Sequence, residues 1–478
     1  MRWRTVLVVI LLLLVPVLSG PSTAVEQRES APTAGSAKGG DGYWPYDGNG
    51  GTDAQHYNVN VVYDFPTGTL AGRTVVTMRA KQALSAVYLD LLLPVTGAKV
   101  DGRAARYTRS TGHEVRVTLP RAVATGAVFR VELTYKGRPA SYSYAGERNW
   151  LADRHEVVAM NQPHMAPWWF PSNDHPSDKA RFDIRVNVPR DKEVASNGAF
   201  AGRVVQGTRA TTHWQSKDPM ATYLAFFAAG DFLLETGRSA HGIRYYNHVS
   251  ARLPSGERVA AQRMLRRTAG MTDWLEDWLG PYPFATTGGV VTSLPVGFAL
   301  ENQTRPTYGS WIYPGVMVHE LAHQWFGDSV SVRRWDDIWL NEGFATFAEV
   351  HYDAARGGPS VSSWLQQAYD DRCRQPSSQF WQLDLRDPGR DDIFHEAVYE
   401  RGAMVLAALR NRIGANDLTR LLRAWVAQHR DGNAAISQFE TLAETVSGED
   451  DLDGFFDAWL DGGVPEPTDD NGLDRGCP

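Results

Sequence analysis

The segment Tyr313–Glu342 constrains this chain more than any other, because it carries two histidines one helical turn apart with a glutamate between them. His319 and His323 flank Glu320 in the run HELAH. On a helix, residues four positions apart lie on one face, so both imidazoles can reach a single ion. Imidazole nitrogens are good Zn²⁺ ligands, and a carboxylate beside the first ligand can take a proton from water. The pattern therefore predicts a catalytic zinc with Glu320 as the general base.

Two helices are expected to build this site. The first begins near Pro314 and ends at Gly327, and the second covers residues 340–350. If the two helices pack antiparallel, Glu342 becomes the third zinc ligand. Thr346 lies one turn further along the same face and is expected to hydrogen-bond a ligand histidine. The alternative is that both histidines are ordinary side chains of a packed core.

The N-terminus has the pattern of a signal peptide over residues 1–24. Arg2 and Arg4 precede an apolar run at residues 6–18, which small residues follow, so cleavage is expected after Ala24. The apolar run is too short to cross a bilayer core of ~30 Å, which disfavours the alternative of a retained membrane anchor. The chain is therefore predicted to be secreted, without a stable membrane anchor.

Charge balance and cysteine content bear on the partners and the compartment of the chain. The 478 residues include 48 Lys and Arg against 55 Asp and Glu, for a formal net charge of −7. Nucleic-acid-binding surfaces are basic, so no nucleic-acid partner is expected. The only cysteines are Cys373 and Cys477, which could form one disulfide in an oxidising compartment or remain free thiols.

The periodicity of apolar residues changes along the chain and divides it into segments. Alternating apolar residues such as Tyr57, Val59 and Val61 indicate strands, whereas the spacing over Arg258–Leu279 indicates one long helix. Gly, Ser, Ala and Pro dominate the segment before the first strand, which favours a flexible spacer. In chain order, the predicted segments are the signal peptide (1–24), a flexible linker (25–53), a β-rich N-terminal domain (54–236), a mainly helical domain (237–465) and a C-terminal tail (466–478).

Two runs of sequence closely resemble the aminopeptidase N-type (gluzincin) family of zinc metalloaminopeptidases. They are HELAHQWFG at residues 319–327 and WLNEGFA at residues 339–345. The resemblance implies an α+β fold, in which a saddle-like, β-rich N-terminal domain precedes a mainly helical, thermolysin-like zinc peptidase domain. It covers roughly residues 55–465, which implies a short form that lacks the helical C-terminal domain of most relatives and has a more open cleft.

A third run, GFALEN at residues 297–302, is similar to the exopeptidase motif Gly-Ala-Met-Glu-Asn of that family. The resemblance implies that Glu301 binds the free α-amino group of the substrate, and that Ala299 and Asn302 belong to the same substrate-binding segment. A carboxylate at a fixed distance from the metal captures the ammonium group, so only the first peptide bond reaches the metal. Phe298 replaces the leading glycine of the motif, which leaves the preferred first side chain open.

Two further residues take their roles from the resemblance. Gln162 falls where a polar side chain helps to hold the substrate amino group. Tyr399, in the run AVYERGA, corresponds to a tyrosine that stabilises the tetrahedral oxyanion. Without the resemblance, the Trp- and Pro-rich surroundings of Gln162 indicate packing, and a lone tyrosine at a helix start indicates an amphipathic surface.

These observations predict a secreted zinc aminopeptidase that hydrolyses the N-terminal peptide bond, with one Zn²⁺ per chain and peptides with a free N-terminus as partners. The nearest alternative is a zinc endopeptidase, which would be indifferent to N-acetylation of its substrate. A non-catalytic, peptide-binding scaffold on the same fold is the second alternative. Epoxide hydrolysis, which some relatives perform, is the third.

Overall fold

Strands dominate the first half of the chain and helices the second in the computed structural model, which describes residues 31–110, 112–449 and 451–478. The strands, in chain order, are β1 (Thr33–Ala34), β2 (Thr52–Asp64), β3 (Thr69–Ala80), β4 (Leu84–Asp90), β5 (Val95–Val100), β6 (Arg103–Ala104), β7 (Tyr107–Arg109), β8 (Glu114–Val123), β9 (Val128–Gly137), β10 (Trp150–Ala152), β11 (Glu156–Ala159), β12 (Ala180–Pro189), β13 (Glu193–Ser196), β14 (Ala199–Gln206), β15 (Arg209–Met220), β16 (Phe227–Gly230), β17 (Phe232–Arg238), β18 (Arg244–Ser250), β19 (Thr286–Val291), β20 (Thr307–Tyr308), β21 (Ser331–Val332) and β22 (Asn433–Ala434). The helices are α1 (Ser255–Leu265), α2 (Thr268–Leu279), α3 (Pro314–Ala322), α4 (Trp339–Ala354), α5 (Val361–Arg372), α6 (Gln379–Gln382), α7 (Glu396–Ile413), α8 (Ala415–His429), α9 (Ile436–Ser447) and α10 (Asp453–Leu460). The order of strands and then helices confirms the expected α+β class. The predicted signal peptide, residues 1–24, lies outside the described residues.

An eight-stranded sheet is the framework of the N-terminal half. Its strands lie in the order β14-β15-β12-β2-β3-β9-β5-β6. The central strand β2 buries Tyr57, Val59 and Val61, while the residues between them are half-buried, as period-two alternation predicts. β2 pairs in parallel with β12 and antiparallel with β3.

The segment predicted as a flexible linker, residues 25–53, has strand pairing and buried side chains in its described part from β1 onwards. β1 pairs with β4, and the Trp44 side chain is 8% exposed, with its ring edge-on to His164 at a centroid distance of 4.9 Å. Asp47 and Asn49 are buried as well. A composition poor in aliphatic residues indicates a spacer. It does not predict that one tryptophan and a few polar side chains find buried partners elsewhere in the fold.

The predicted boundary between the two domains, at residues 236 and 237, falls inside strand β17. This strand pairs with β18 in a four-stranded sheet of order β17-β18-β19-β20, so it joins the second half of the chain. The single helix predicted over Arg258–Leu279 is also wrong, because α1 ends at Leu265 and α2 begins at Thr268. At the break between the two helices, Arg266 Nε lies 3.0 Å from Glu235 Oε1 on β17. The periodicity of apolar residues cannot predict such a polar interaction.

Two close contacts hold helices α4 and α7 together and attach the loop after α3 to the N-terminal domain. On α4, a Cβ added at Gly343 would lie 2.8 Å from Gly402 Cα on α7, so these helices touch backbone to backbone. The Lys179 ammonium donates to the carbonyls of Asp328 and Ser329, both at 2.8 Å, and fixes the loop after α3 to the segment before β12. The first contact sets α7 against α4, and the second ties the N-terminal domain to the end of the motif helix.

The end of the chain is attached covalently to the helical half. Cys373, just after α5, forms a disulfide with Cys477. This is the pairing that the sequence left open against two free thiols. Across the described residues, no helix combines the length and the apolar character needed to cross a membrane.

Candidate active site

Helices α3 and α4 bring the three predicted zinc ligands together. Glu342 Oε2, on α4, lies 3.3 Å from His319 Nε2 and 3.4 Å from His323 Nε2. α3 ends at Ala322, earlier than the predicted Gly327, but the His323 amide still donates to the His319 carbonyl at 3.1 Å. The two rings therefore keep their helical register, with centroids 4.7 Å apart.

The chemistry of this donor set fits zinc. Two imidazole nitrogens and one carboxylate oxygen lie within 4.8 Å of one another, and all three side chains are buried. Three protein ligands of these types, with one position left open, are the usual arrangement of a catalytic zinc. Burial opposes ionisation of Glu342, yet the facing histidines lower its pKa to about 2, so a carboxylate is held ready for a cation.

The outer nitrogens of both histidines have partners that fix the ring orientation. His319 Nδ1 lies 2.9 Å from Glu349 Oε1, and His323 Nδ1 lies 3.0 Å from the Phe326 carbonyl. A carbonyl oxygen only accepts, so Nδ1 of His323 carries the proton and Nε2 presents its lone pair to the ion. Such partners set the tautomer and raise the basicity of the ligand.

Sequence reasoning missed Glu349 and proposed Thr346 for this kind of role. Thr346 lines a neighbouring cavity of about 890 Å³, whose wall it shares with Glu349 and residues of α5 and α7. Glu349 follows Glu342 by two helical turns on α4, so its position on the same face is the signal that could have identified it.

Glu320 and Tyr399 line one cavity of about 230 Å³ with the three candidate ligands. Burial raises the pKa of Glu320 to about 8, which suits a group that accepts and returns a proton near neutral pH. Tyr399, on α7, stacks over His319 at a centroid distance of 6.0 Å. Burial and the nearby Glu342 raise the pKa of Tyr399 well above its usual value, so its phenol keeps the proton that it can donate.

Glu301 and Gln162 line the same cavity. Gln162 Nε2 donates to Glu301 Oε1 at 3.1 Å, which joins the N-terminal domain to the motif segment. The Glu301 carbonyl accepts from Gln324 Nε2 at 2.9 Å, so the backbone that presents this carboxylate is held by the residue after His323. Ala299 lines the same cavity.

Asn302 has a different environment from the one predicted for a substrate-binding residue. It is completely buried, its Nδ2 donates to the Leu224 carbonyl at 3.2 Å, and its Oδ1 accepts from Thr307 Oγ1 at 3.1 Å. Both ends of the amide are therefore used within the protein. Asn302 holds the segment that presents Glu301, a role that a motif of adjacent residues cannot distinguish from direct binding.

A β-rich domain followed by a helical domain with a His-His-Glu cluster defines the class of zinc-dependent peptidases with an HExxH helix. The model of the peptidase M1 N-terminal domain matches residues 53–224, and the model of the peptidase family M1 domain matches residues 289–459. The chain belongs to this family, so the resemblance drawn from the motifs is confirmed.

Solved structures support the assignment over the whole fold. The M1 zinc metallopeptidase from Deinococcus radiodurans has a TM-score of 0.79 and 30% sequence identity, covering 90% of this chain and 99% of that chain. A mutant of that enzyme bound to a Tyr-Ser-Ala substrate has a TM-score of 0.80 with the same coverage.

Curated relatives match over a smaller share of their length. Leucyl aminopeptidase of Saccharolobus solfataricus is 23% identical over 430 residues, which are 82% of this chain and 52% of the relative. Aminopeptidase M1-C of Oryza sativa subsp. japonica is 27% identical over 335 residues, which are 65% of this chain and 37% of the relative. The chain thus spans about half or less of the length of these relatives.

Proposed function

We propose that this chain is a zinc aminopeptidase that removes N-terminal residues from peptides with a free amino group. The observation that carries the proposal is the Glu301 carboxylate, which is 2% exposed and lines the cavity formed by His319, His323 and Glu342. A carboxylate that is shielded from solvent binds a substrate ammonium strongly. Its distance from the ligand cluster fixes which peptide bond is hydrolysed.

The chain supplies the groups that such a hydrolysis needs. Zinc, when bound by His319, His323 and Glu342, supplies a Lewis acid beside the scissile carbonyl and lowers the pKa of water. Glu320 takes the proton of the attacking water and returns it to the leaving nitrogen. The Tyr399 phenol donates a hydrogen bond to the carbonyl oxygen as it becomes negative.

Glu301 and Gln162 position the other end of the substrate. The carboxylate binds the α-ammonium group, and the carboxamide donates to that carboxylate and keeps it turned into the cavity. Binding energy at this anchor orients the first peptide bond towards Glu320, which lowers the entropic part of the barrier. Phe298 lies in the same wall and is 42% exposed, so it contacts the first side chain of the peptide.

The cavity favours an exopeptidase over the alternative of an endopeptidase. Gln162, Phe298 and Glu301 line the small cavity of about 230 Å³, and Glu349 lines both this cavity and the larger one of about 890 Å³. A peptide that begins at Glu301 can continue into the larger cavity. A chain continuing past Glu301 in the other direction would bring an uncharged amide against a buried carboxylate, which is unfavourable.

Metal dependence distinguishes the proposed zinc peptidase from the alternative of a non-catalytic, peptide-binding scaffold. The wild type should hydrolyse an aminoacyl chromogenic substrate. A chelator should abolish this activity, and added zinc should restore it. Glu320→Gln keeps the zinc and loses activity by roughly 10²–10⁴-fold, as loss of a general base requires. Activity that survives both the chelator and Glu320→Gln contradicts the proposal.

Export is the cellular part of the proposal. The charged start, the apolar run and the small residues before Ala24 support a cleaved signal peptide. The disulfide between Cys373 and Cys477 supports an oxidising compartment. Mass spectrometry of the protein in the culture medium is expected to find Val25 as the first residue. A protein that stays inside the cell with Met1 still in place would contradict the proposed export.

A further inference from the structure

A pair of buried carboxylates lies in the N-terminal domain and shares no residue with the candidate active site. Asp90, at the end of β4, stands directly opposite Glu114, at the start of β8. Both side chains are 0% exposed. Like charges directly opposite each other destabilise a strand pair, and burial strengthens that effect. The pair therefore requires a positive group or a shared proton.

The neighbours satisfy only part of the pair. Asp90 Oδ2 accepts from the amides of Gly48 at 3.1 Å and Asp174 at 2.8 Å. Asp90 Oδ1 lies 3.6 Å from His113 Nε2, and this nitrogen is 3.0 Å from the Tyr46 carbonyl. Because a carbonyl only accepts, Nε2 of His113 carries a hydrogen and is no ligand for a metal.

Positive side chains are already matched by other acids. His164 Nε2 lies 2.7 Å from Asp47 Oδ2, so its charge is paired with that carboxylate. In the part of the chain that the structure describes, no lysine or arginine forms an ion pair with Asp90 or Glu114, whose one ionic neighbour is the His113 ring near Asp90. Asp174 adds a further buried carboxyl group beside Asp90. The cluster therefore contains more acidic than basic side chains.

Asn49 provides an independent sign of a ligand. It is 4% exposed, and its amide is directed at both carboxylates, with Nδ2 at 3.4 Å from Asp90 Oδ1 and 3.3 Å from Glu114 Oε2. Its Oδ1 has no hydrogen-bond partner among the described residues. The two ends of a carboxamide are nearly isosteric, and a half-turn of the amide directs this free oxygen between the two acids.

We propose that Asp90, Glu114 and the Asn49 amide oxygen form a second metal site, which binds a calcium ion. The donor set consists of oxygens, which hard divalent cations prefer. Calcium fits better than magnesium, because calcium accepts carboxylates and amide oxygens in irregular geometry, whereas magnesium requires near-octahedral geometry and retains several waters.

The ion would have a structural role. Asn49 belongs to the segment before β2 that composition predicts to be flexible, whereas Asp90 and Glu114 belong to the sheet of order β1-β4-β8-β7. A shared ion attaches this segment to the sheet and removes the repulsion between the two acids. Calcium binding therefore stabilises the folded N-terminal domain without taking part in peptide hydrolysis.

The test uses the full chain with its zinc in place. Terbium replaces calcium and luminesces when a nearby aromatic ring transfers energy to it. The Tyr144 ring suits this transfer, since its centroid is 4.1 Å from that of His113. The variant Asp90→Asn/Glu114→Gln keeps the shape of the site and removes its charge. Glu276→Gln, in the separate and less buried cluster of His241, Asp273 and Glu276, is the matched control.

The expected result is one calcium or terbium ion bound per wild-type chain, a higher Tm with calcium, and competition of terbium by calcium. The control behaves like the wild type. The double variant loses the luminescence and the calcium-dependent rise of Tm, and without calcium it is at least as stable as the wild type, because the repulsion is gone. A wild type that binds no calcium at millimolar concentration overturns the proposal in favour of a shared proton. An equal calcium effect in the double variant overturns it as well.

Discussion

The Nδ1 atom of His319 lies 2.9 Å from the Glu349 carboxylate, two helical turns beyond Glu342 on the same helix α4. One helix therefore carries both a candidate zinc ligand and the group that orients another ligand. Because Gly343 of α4 also packs against Gly402 of α7, the orientation of the ligand set depends on how these two helices pack.

Glu349→Ala is expected to weaken zinc binding by about 10–100-fold, because the His319 ring loses the partner that fixes its tautomer. The measurement is competition for zinc with a chelator of known affinity. Thr346→Val on the same helix is the matched control and should leave the zinc affinity unchanged. Equal affinities for Glu349→Ala and the wild type would show that the carboxylate does not act on the metal site.

Gly343→Ala is expected to destabilise the fold by about 1–3 kcal/mol, because the new methyl group would lie 2.8 Å from the Gly402 backbone. Urea unfolding measures the change. Gly270→Ala is the control, since nothing lies within 4 Å of a Cβ at that position of α2. In the control, the lower entropy of the unfolded chain should stabilise by about 0.4–1 kcal/mol. Equal effects of the two substitutions would contradict the close packing of α4 against α7.

His248 is expected to make the protein less stable as the pH falls below 6.5. Its side chain on β18 is fully buried, and burial together with Arg305 lowers its pKa from 6.5 to about 3. The unfolded chain then binds a proton that the folded chain excludes, so the free energy of unfolding decreases with falling pH in this window.

The contribution of His248 between pH 6.5 and pH 5 is about 2 kcal/mol, and the substitution His248→Phe should remove it. The phenyl ring suits the site, because Trp214 and Phe232 already surround the imidazole. Urea unfolding of both proteins at the two pH values gives the difference in slope. Parallel pH dependence of the two proteins would mean that His248 is protonated in the folded state.

The sequence was sufficient for the ligand cluster because the information is local. His319 and His323 share a helical face by spacing alone, the expected packing of a second helix supplied Glu342, and family motifs supplied Glu301 and Tyr399. Sequence reasoning proposed Thr346 and missed Glu349, although both follow Glu342 on one helix. Spacing makes each a candidate, and only packing decides which side chain reaches His319.

Other features depend on segments that are distant in the chain. The contact of Gly343 with Gly402 and the pairing of Asp90 with Glu114 arise only when the fold is complete. Asn49 sits in a segment whose composition favours a flexible linker, but three-dimensional contacts bury its side chain. Composition and periodicity describe a segment on its own, so they cannot predict contacts with segments that are distant in the chain.

The most direct test of the aminopeptidase assignment is the ratio of kcat/KM for a free and an N-acetylated aminoacyl substrate, measured in the wild type and in Glu301→Gln. The wild type should hydrolyse the free substrate and leave the acetylated one intact. Glu301→Gln should lose about 10–100-fold in kcat/KM on the free substrate, as expected for a lost charge-assisted hydrogen bond. Equal hydrolysis of free and acetylated substrates by the wild type would contradict an amine anchor at Glu301.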